Sequence, residues 1–189
     1  VNPPLLPEEK SQLLAIARQA VEATAAGLAA APLDPSHWTP RLLEPGSSFV
    51  TLMKLGALRG CLGSLQASYP LAEDIQRHAV AVCRQDYRFP PVEAHEVADL
   101  QIELSVLSEP LPLVYASPED LIGRLQPLRD GVVLRRGLRQ ATFLPRVWER
   151  LPDPVQFLDL LCQKADLPQG AWRTPQVEIL TYRAEDFSE

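Results

Sequence analysis

The chain has 189 residues, 46% hydrophobic and 22% charged, enough for one sizeable core or two closely packed lobes. Eighteen Lys and Arg against 24 Asp and Glu leave a formal charge of −6, which argues against a general affinity for nucleic-acid backbones. Three cysteines, Cys61, Cys83 and Cys162, are odd in number and widely spaced without a C-x-x-C pair. They exclude a disulfide framework or structural zinc site and suit the reducing cytoplasm. No run approaches the roughly 18 apolar residues of a membrane span, and "VNPPLLPEEK" is no signal peptide, so a soluble cytoplasmic protein with no membrane partner is expected.

"PEEKSQLLAIARQAVEATAAGLAAA" begins with Pro7 at a first helical position and Glu8 and Glu9 in the first turn, where the helix dipole favours acids. Leu13, Leu14, Ala17, Ala20, Val21 and Thr24 recur at helical spacing and predict a long amphipathic helix. Asp34-Pro35, Thr39-Pro40 and Glu44-Pro45 then predict an ordered crossing loop. "SFVTLMKLGALRGCLGSLQA" reads as a hairpin turning at Leu55-Gly56. Strict alternation on its second strand places Arg59, Cys61, Gly63 and Leu65 on one face and Leu58, Gly60, Leu62 and Ser64 on the other.

"YPLAEDIQRHAVAVCRQD" predicts a helix with an inner stripe of Leu71, Ile75, Ala79, Val82 and Asp86, stopped by "DYRFPPV". "DLQIELSVLS" alternates Leu100, Ile102, Leu104 and Val106 against Gln101, Glu103 and Ser105, a strand with one buried face. A short helix follows, capped by Ser117. "DGVVLRRGLRQATFLP" is a hairpin turning near Gly137, whose arginines read as a solvated tip. The helix "DPVQFLDLLCQKADL" and the strand "QVEILTYR" complete the series. Tight turns between paired strands imply antiparallel pairing, so the fold class is α+β: a mainly antiparallel sheet with flanking helices.

Taken in order, "FVTLMKLGALRGCLGSLQA", "DYRFPPV", "DLQIELSVLS", "DGVVLRRG", "ATFLPRVW" and "FLDLLCQKADLP" resemble the successive blocks of the AMMECR domain family, from about Phe49 to Trp172. The resemblance implies a single domain over 1–189 with two unequal lobes as possible subdomains, and makes "LRGCLG" the family's signature. It also implies Memo-like and radical-SAM proteins as partners. It brings no established molecular activity, so whether the chain is an enzyme stays open at this stage.

The chemistry is sought around Cys61. A cysteine between Gly60 and Gly63 has open space beside it and is a competent nucleophile where a positive charge stands close; Arg59 is the expected source of that charge. Asp86 and Arg88, flanking the rigid "FPP" turn, form a second candidate clamp for a polar ligand, and Glu103 is the strand acid that points away from the buried set. The candidate site is thus Cys61 as catalytic residue, with Arg59, Gly60, Gly63, Asp86, Arg88 and Glu103 as binding residues, no metal and no cofactor. The plainer reading has Cys61 as a small buried hydrophobe, the glycines admitting a neighbouring helix, and Asp86 and Arg88 as a local salt bridge. A non-catalytic interaction module would use Trp38, Trp148 and Trp172 as its contacts.

Overall fold

Helix α1 (Pro7–Ala25) forms where the apolar spacing predicts it, and buries Leu13, Ile16, Ala17, Ala20, Val21 and Thr24 along one stripe. The computed structural model describes residues 3–189. The Glu9 carboxylate accepts the Leu6 N–H at 2.8 Å, satisfying a donor at the helix start. The helix ends earlier than the alanine-rich sequence suggests. Gly27 turns left-handed (φ 76°), and Gly27 and Leu28 N–H close onto the Thr24 and Ala23 carbonyls.

Two compact units follow from the topology: one runs to Leu107 and takes back Glu185–Glu189, the other spans Ser108–Ala184. In the first, the predicted crossing loop contains a 3-10 turn (Pro35–His37) and a four-residue helix α2 (Pro40–Leu43). Strands β1 (Pro45–Lys54) and β2 (Ala57–Gly63) form the predicted hairpin, with left-handed Leu55 and Gly56 at its two-residue turn. The two-residue strand β3 (Tyr69–Pro70) leads into α3 (Leu71–Arg84), and β4 (Leu100–Leu107) pairs antiparallel with β1.

Val50, Leu52, Ile102, Leu104 and Val106 turn one sheet face to the core built with α1 and α3. Each fully buried Leu or Ile there contributes on the order of 1.5–3 kcal/mol through apolar burial.

The second unit carries the small strand β5 (Leu111–Pro112), α4 (Pro118–Arg124), the hairpin β6 (Gly131–Arg136) and β7 (Arg139–Phe143), α5 (Pro154–Lys164) and β8 (Glu178–Tyr182), with sheet order β5-β8-β6-β7. Its core stacks Trp148 on Phe157, ring centroids 3.7 Å apart. Trp148 donates to the Asp130 carbonyl and Trp172 to the Asp159 carboxylate, both at 2.7 Å. With each indole 1% exposed, Trp148 and Trp172 are core residues, which corrects the reading of them as contact surfaces.

One strand escapes the sequence reading. "AEDFS" forms β9 (Ala184–Ser188), which joins the first sheet in the order β2-β1-β4-β9. Its acids hide the strand signal, and each has a partner: Glu185 takes Lys10 at 2.7 Å and the Leu5 N–H at 3.0 Å, and Asp186 accepts the Ser105 hydroxyl at 2.5 Å. The α+β class with antiparallel sheets stands.

Candidate functional site

Register places Thr51 opposite both Cys61 and Glu103, so the three occupy one row across β2, β1 and β4. Cross-strand partners share a face, and this row lies on the face opposite Val50, Leu52 and Ile102. The Thr51 hydroxyl donates to Cys61 Sγ at 3.3 Å and fixes the thiol's position. Thr51 is buried, whereas Cys61 and Glu103 are partly exposed. The sequence reading had passed over Thr51, whose signal was the hairpin register itself.

The glycines flanking Cys61 answer to protein packing. A Cβ on Gly60 would stand 3.0 Å from Val82 Cγ2, so Gly60 admits α3 to the sheet. A Cβ on Gly63 would stand 2.3 Å from the Ser48 carbonyl oxygen and 2.4 Å from Phe49 Cγ, a contact no side chain can make.

Asp86 and Arg88 meet the hairpin at Cys61. Strand β2 is the outer strand of its sheet, and such an edge presents backbone groups without a sheet partner. Asp86 Oδ2 accepts the Cys61 N–H at 2.8 Å, and Arg88 Nη2 donates to the Cys61 carbonyl at 3.1 Å. Arg88 Nε and Nη2 grip the two Asp86 oxygens at 2.8 and 2.7 Å. The pair thus stands in for a further strand. The Asp86 side chain is 3% exposed, and its carboxyl is held below the usual range by the Arg88 guanidinium, with the Cys61 N–H adding to that effect against the cost of burial. Arg88 is 45% exposed, so its guanidinium reaches solvent next to Cys61.

Arg59 is placed differently from the sequence expectation. The pairing passes from Leu52↔Gly60 to Met53↔Leu58, leaving Arg59 as the extra residue of a β-bulge. Alternation breaks there, and Arg59 turns to Glu96, with Nε to Oε2 at 3.0 Å and Nη2 to Oε1 at 2.7 Å. Lys54 Nζ at 3.0 Å and the Glu93 N–H at 3.0 Å complete the shell around Glu96. These contacts, Arg59 foremost, hold the Glu96 carboxyl down at about 2. Both arginines are paired with a buried carboxylate, but the Arg59 side chain is only 12% exposed, and the guanidinium that touches Cys61 and also reaches solvent belongs to Arg88.

Cys83 and Cys162 are buried in helices, where burial pushes the Cys83 thiol up to about 11 and raises Cys162 as well. A further polar cluster went unread in the sequence: the buried Ser48 hydroxyl donates to Asp74 at 2.7 Å, and His78 Nδ1 lies 3.2 Å from the same carboxylate oxygen. Ser48 is wholly buried, so this cluster pins α3 to β1 and offers no nucleophile. Among the described residues no three His, Cys, Asp or Glu side chains gather in metal-binding geometry, and no helix is long and apolar enough to cross a membrane.

An α+β protein with two antiparallel sheets, whose signature hairpin carries a part-exposed cysteine clamped by an Asp–Arg pair, defines a recognisable class. The AMMECR1 family model matches residues 14–187, and the chain belongs to that family. A protein of Thermofilum pendens is 34% identical, the match covering 96% of this chain and 90% of that protein. A Methanothermobacter thermautotrophicus protein is also 34% identical, with 98% and 97% covered. The crystal structure of the uncharacterised protein PH0010 from Pyrococcus horikoshii superposes with a TM-score of 0.85 at 32% identity, covering 94% of this chain and 89% of that one.

Proposed function

We propose that the protein is a small enzyme or ligand-binding subunit that takes an anionic small molecule at the Cys61 hairpin. Cys61 is the group that meets the ligand, Thr51 sets the position of its sulfur, and Arg88 presents a guanidinium to the ligand's acidic group. The observation that carries the reading is the part-exposed Cys61 with both of its backbone polar groups held by the Asp86–Arg88 pair. Glu103 lies in the same row across Thr51, as the acid nearest the thiol along that row. Memo-like and radical-SAM proteins are the proposed partners, on the family resemblance.

The experiment compares alkylation of Cys61 by iodoacetate and by iodoacetamide in the native protein, each normalised to the unfolded chain. The reading expects a native preference for the anionic reagent that fades as salt rises, because salt screens the Arg88 charge. Equal normalised rates at low salt would remove the anion site. A non-catalytic interaction module is the alternative, favoured by one feature: Tyr87 stands 96% exposed in the turn between Asp86 and Arg88.

A further inference from the structure

The hairpin of β6 and β7 turns through two residues only, Gly137 and Leu138, because Arg136 and Arg139 pair across it. Gly137 takes the left-handed conformation (φ 59°), and the place after such a glycine ordinarily holds Asn, Asp or Ser. Here it holds Leu138, which is fully exposed. Arginines stand on both sides of it. Arg135 pairs with Glu178 at 2.6 Å and Arg139 with Asp166 at 3.3 Å, while Arg136 is exposed and pairs with no described residue. The tip is an apolar knob beside an unopposed cation.

A recess suited to it opens in the first unit. Ile16 and Ala20 of α1, with Pro32 and Leu33 of the segment after it, wall a cavity of about 230 Å³ that no Lys or Arg lines. Gln76 Nε2 donates to the Ala31 carbonyl at 2.8 Å, and Pro32 and Pro35 stiffen the segment, so the recess is preformed. At roughly 30 Å³ per water it equals about seven or eight waters, room for the carbons of a leucine side chain with the end of an arginine beside them. Gln76 keeps its carbonyl oxygen, and Gln19 makes no hydrogen bond to any described residue, so both are acceptors for that arginine.

Charge favours a meeting of these two surfaces between copies of the chain. The unit with the recess carries 15 Asp and Glu against 8 Lys and Arg, a net −7, whereas the unit with the tip carries 9 against 10, a net +1. Two first units face to face repel each other. A cationic tip approaching the acidic unit of another copy is drawn in by its field.

We infer that the β6–β7 tip is a docking knob for a second copy of this chain: Leu138 enters that copy's recess beside α1, and Arg136 meets Gln19 and Gln76 there. Knob and recess are different surfaces, so the contact is head-to-tail and propagates until it closes into a ring. One tip buries far less than the roughly 800 Å² per partner of a standard interface, so the association is weak. The inference is independent of the Cys61 reading.

The test is sedimentation equilibrium of the full chain from about 10 μM to 1 mM, a range that reads weak association, with Leu138→Ser and Gln19→Lys alongside. Both positions are exposed, so both variants keep the core, and near-UV circular dichroism checks that they do. The unaltered chain is expected to associate as its concentration rises. Each variant alone should associate at least about tenfold more weakly, because Leu138→Ser removes the knob and Gln19→Lys sets a cation against Arg136. Mixed in equal amounts, the variants should associate more tightly than either does alone and stop at a one-to-one dimer, since one supplies an intact recess and the other an intact tip. A chain that stays monomeric throughout, association that either variant keeps in full, or a mixture no tighter than its components overturns the inference.

Discussion

Asp86→Ala probes the clamp on which the site depends. The substitution removes four contacts to one carboxylate, from the Cys61 N–H at 2.8 Å, from the Arg88 guanidinium at 2.8 and 2.7 Å and from the Arg88 N–H at 3.3 Å. Leaving the Cys61 N–H without an acceptor costs about 1–3 kcal/mol, and losing the ion pair to a half-exposed arginine costs about 1 kcal/mol at most. The sum is about 1–4 kcal/mol, read as a lower urea midpoint at unchanged slope. Arg88→Ala also destabilises, since it strands a buried carboxylate, and the double variant should lose less than the two single losses added, because both remove one unit. A fall below about 0.5 kcal/mol for Asp86→Ala, the range of an ordinary surface change, would refute the edge-cap account.

Acid stability should report Glu96. Its folded pKa of about 2 lies below the ordinary 4.5, so its stabilisation is complete above that ordinary value and is lost as pH falls through about 2. The shift corresponds to about 3 kcal/mol at neutral pH, and Glu96→Gln should lose both that stability and its acid dependence in paired unfolding curves. Gly63→Ala should destabilise strongly, by about 1–3 kcal/mol or more, because its Cβ meets backbone. Gly60→Ala, which meets only a valine methyl group at 3.0 Å, should cost less, and thermal melts that reverse this order would contradict the packing explanation.

The helices and central strands were legible because their signals are local. The stripe of α1, the alternation of β4 and the Ser117 cap each lie within one stretch of chain, and the structure repeats them. Cys61 was legible through its glycines, although those glycines turn out to serve Val82 and the β1 backbone. Arg59 was misplaced because a bulge inserts one residue without any mark that alternation can register. Thr51 was missed because its role comes from pairing with residues 10 positions after it and 52 after it, and β9 because its acids find partners in Lys10 of α1 and Ser105 of β4, which a local reading cannot see.

The most direct test of the account is the alkylation rate of each cysteine in the native protein, resolved by peptide mass spectrometry across pH. Cys61 should react in the folded state, while buried Cys83 and Cys162 react only as the protein unfolds. Protection of all three until unfolding would contradict the claim that the hairpin presents a working thiol, and would leave Cys61 a packing residue.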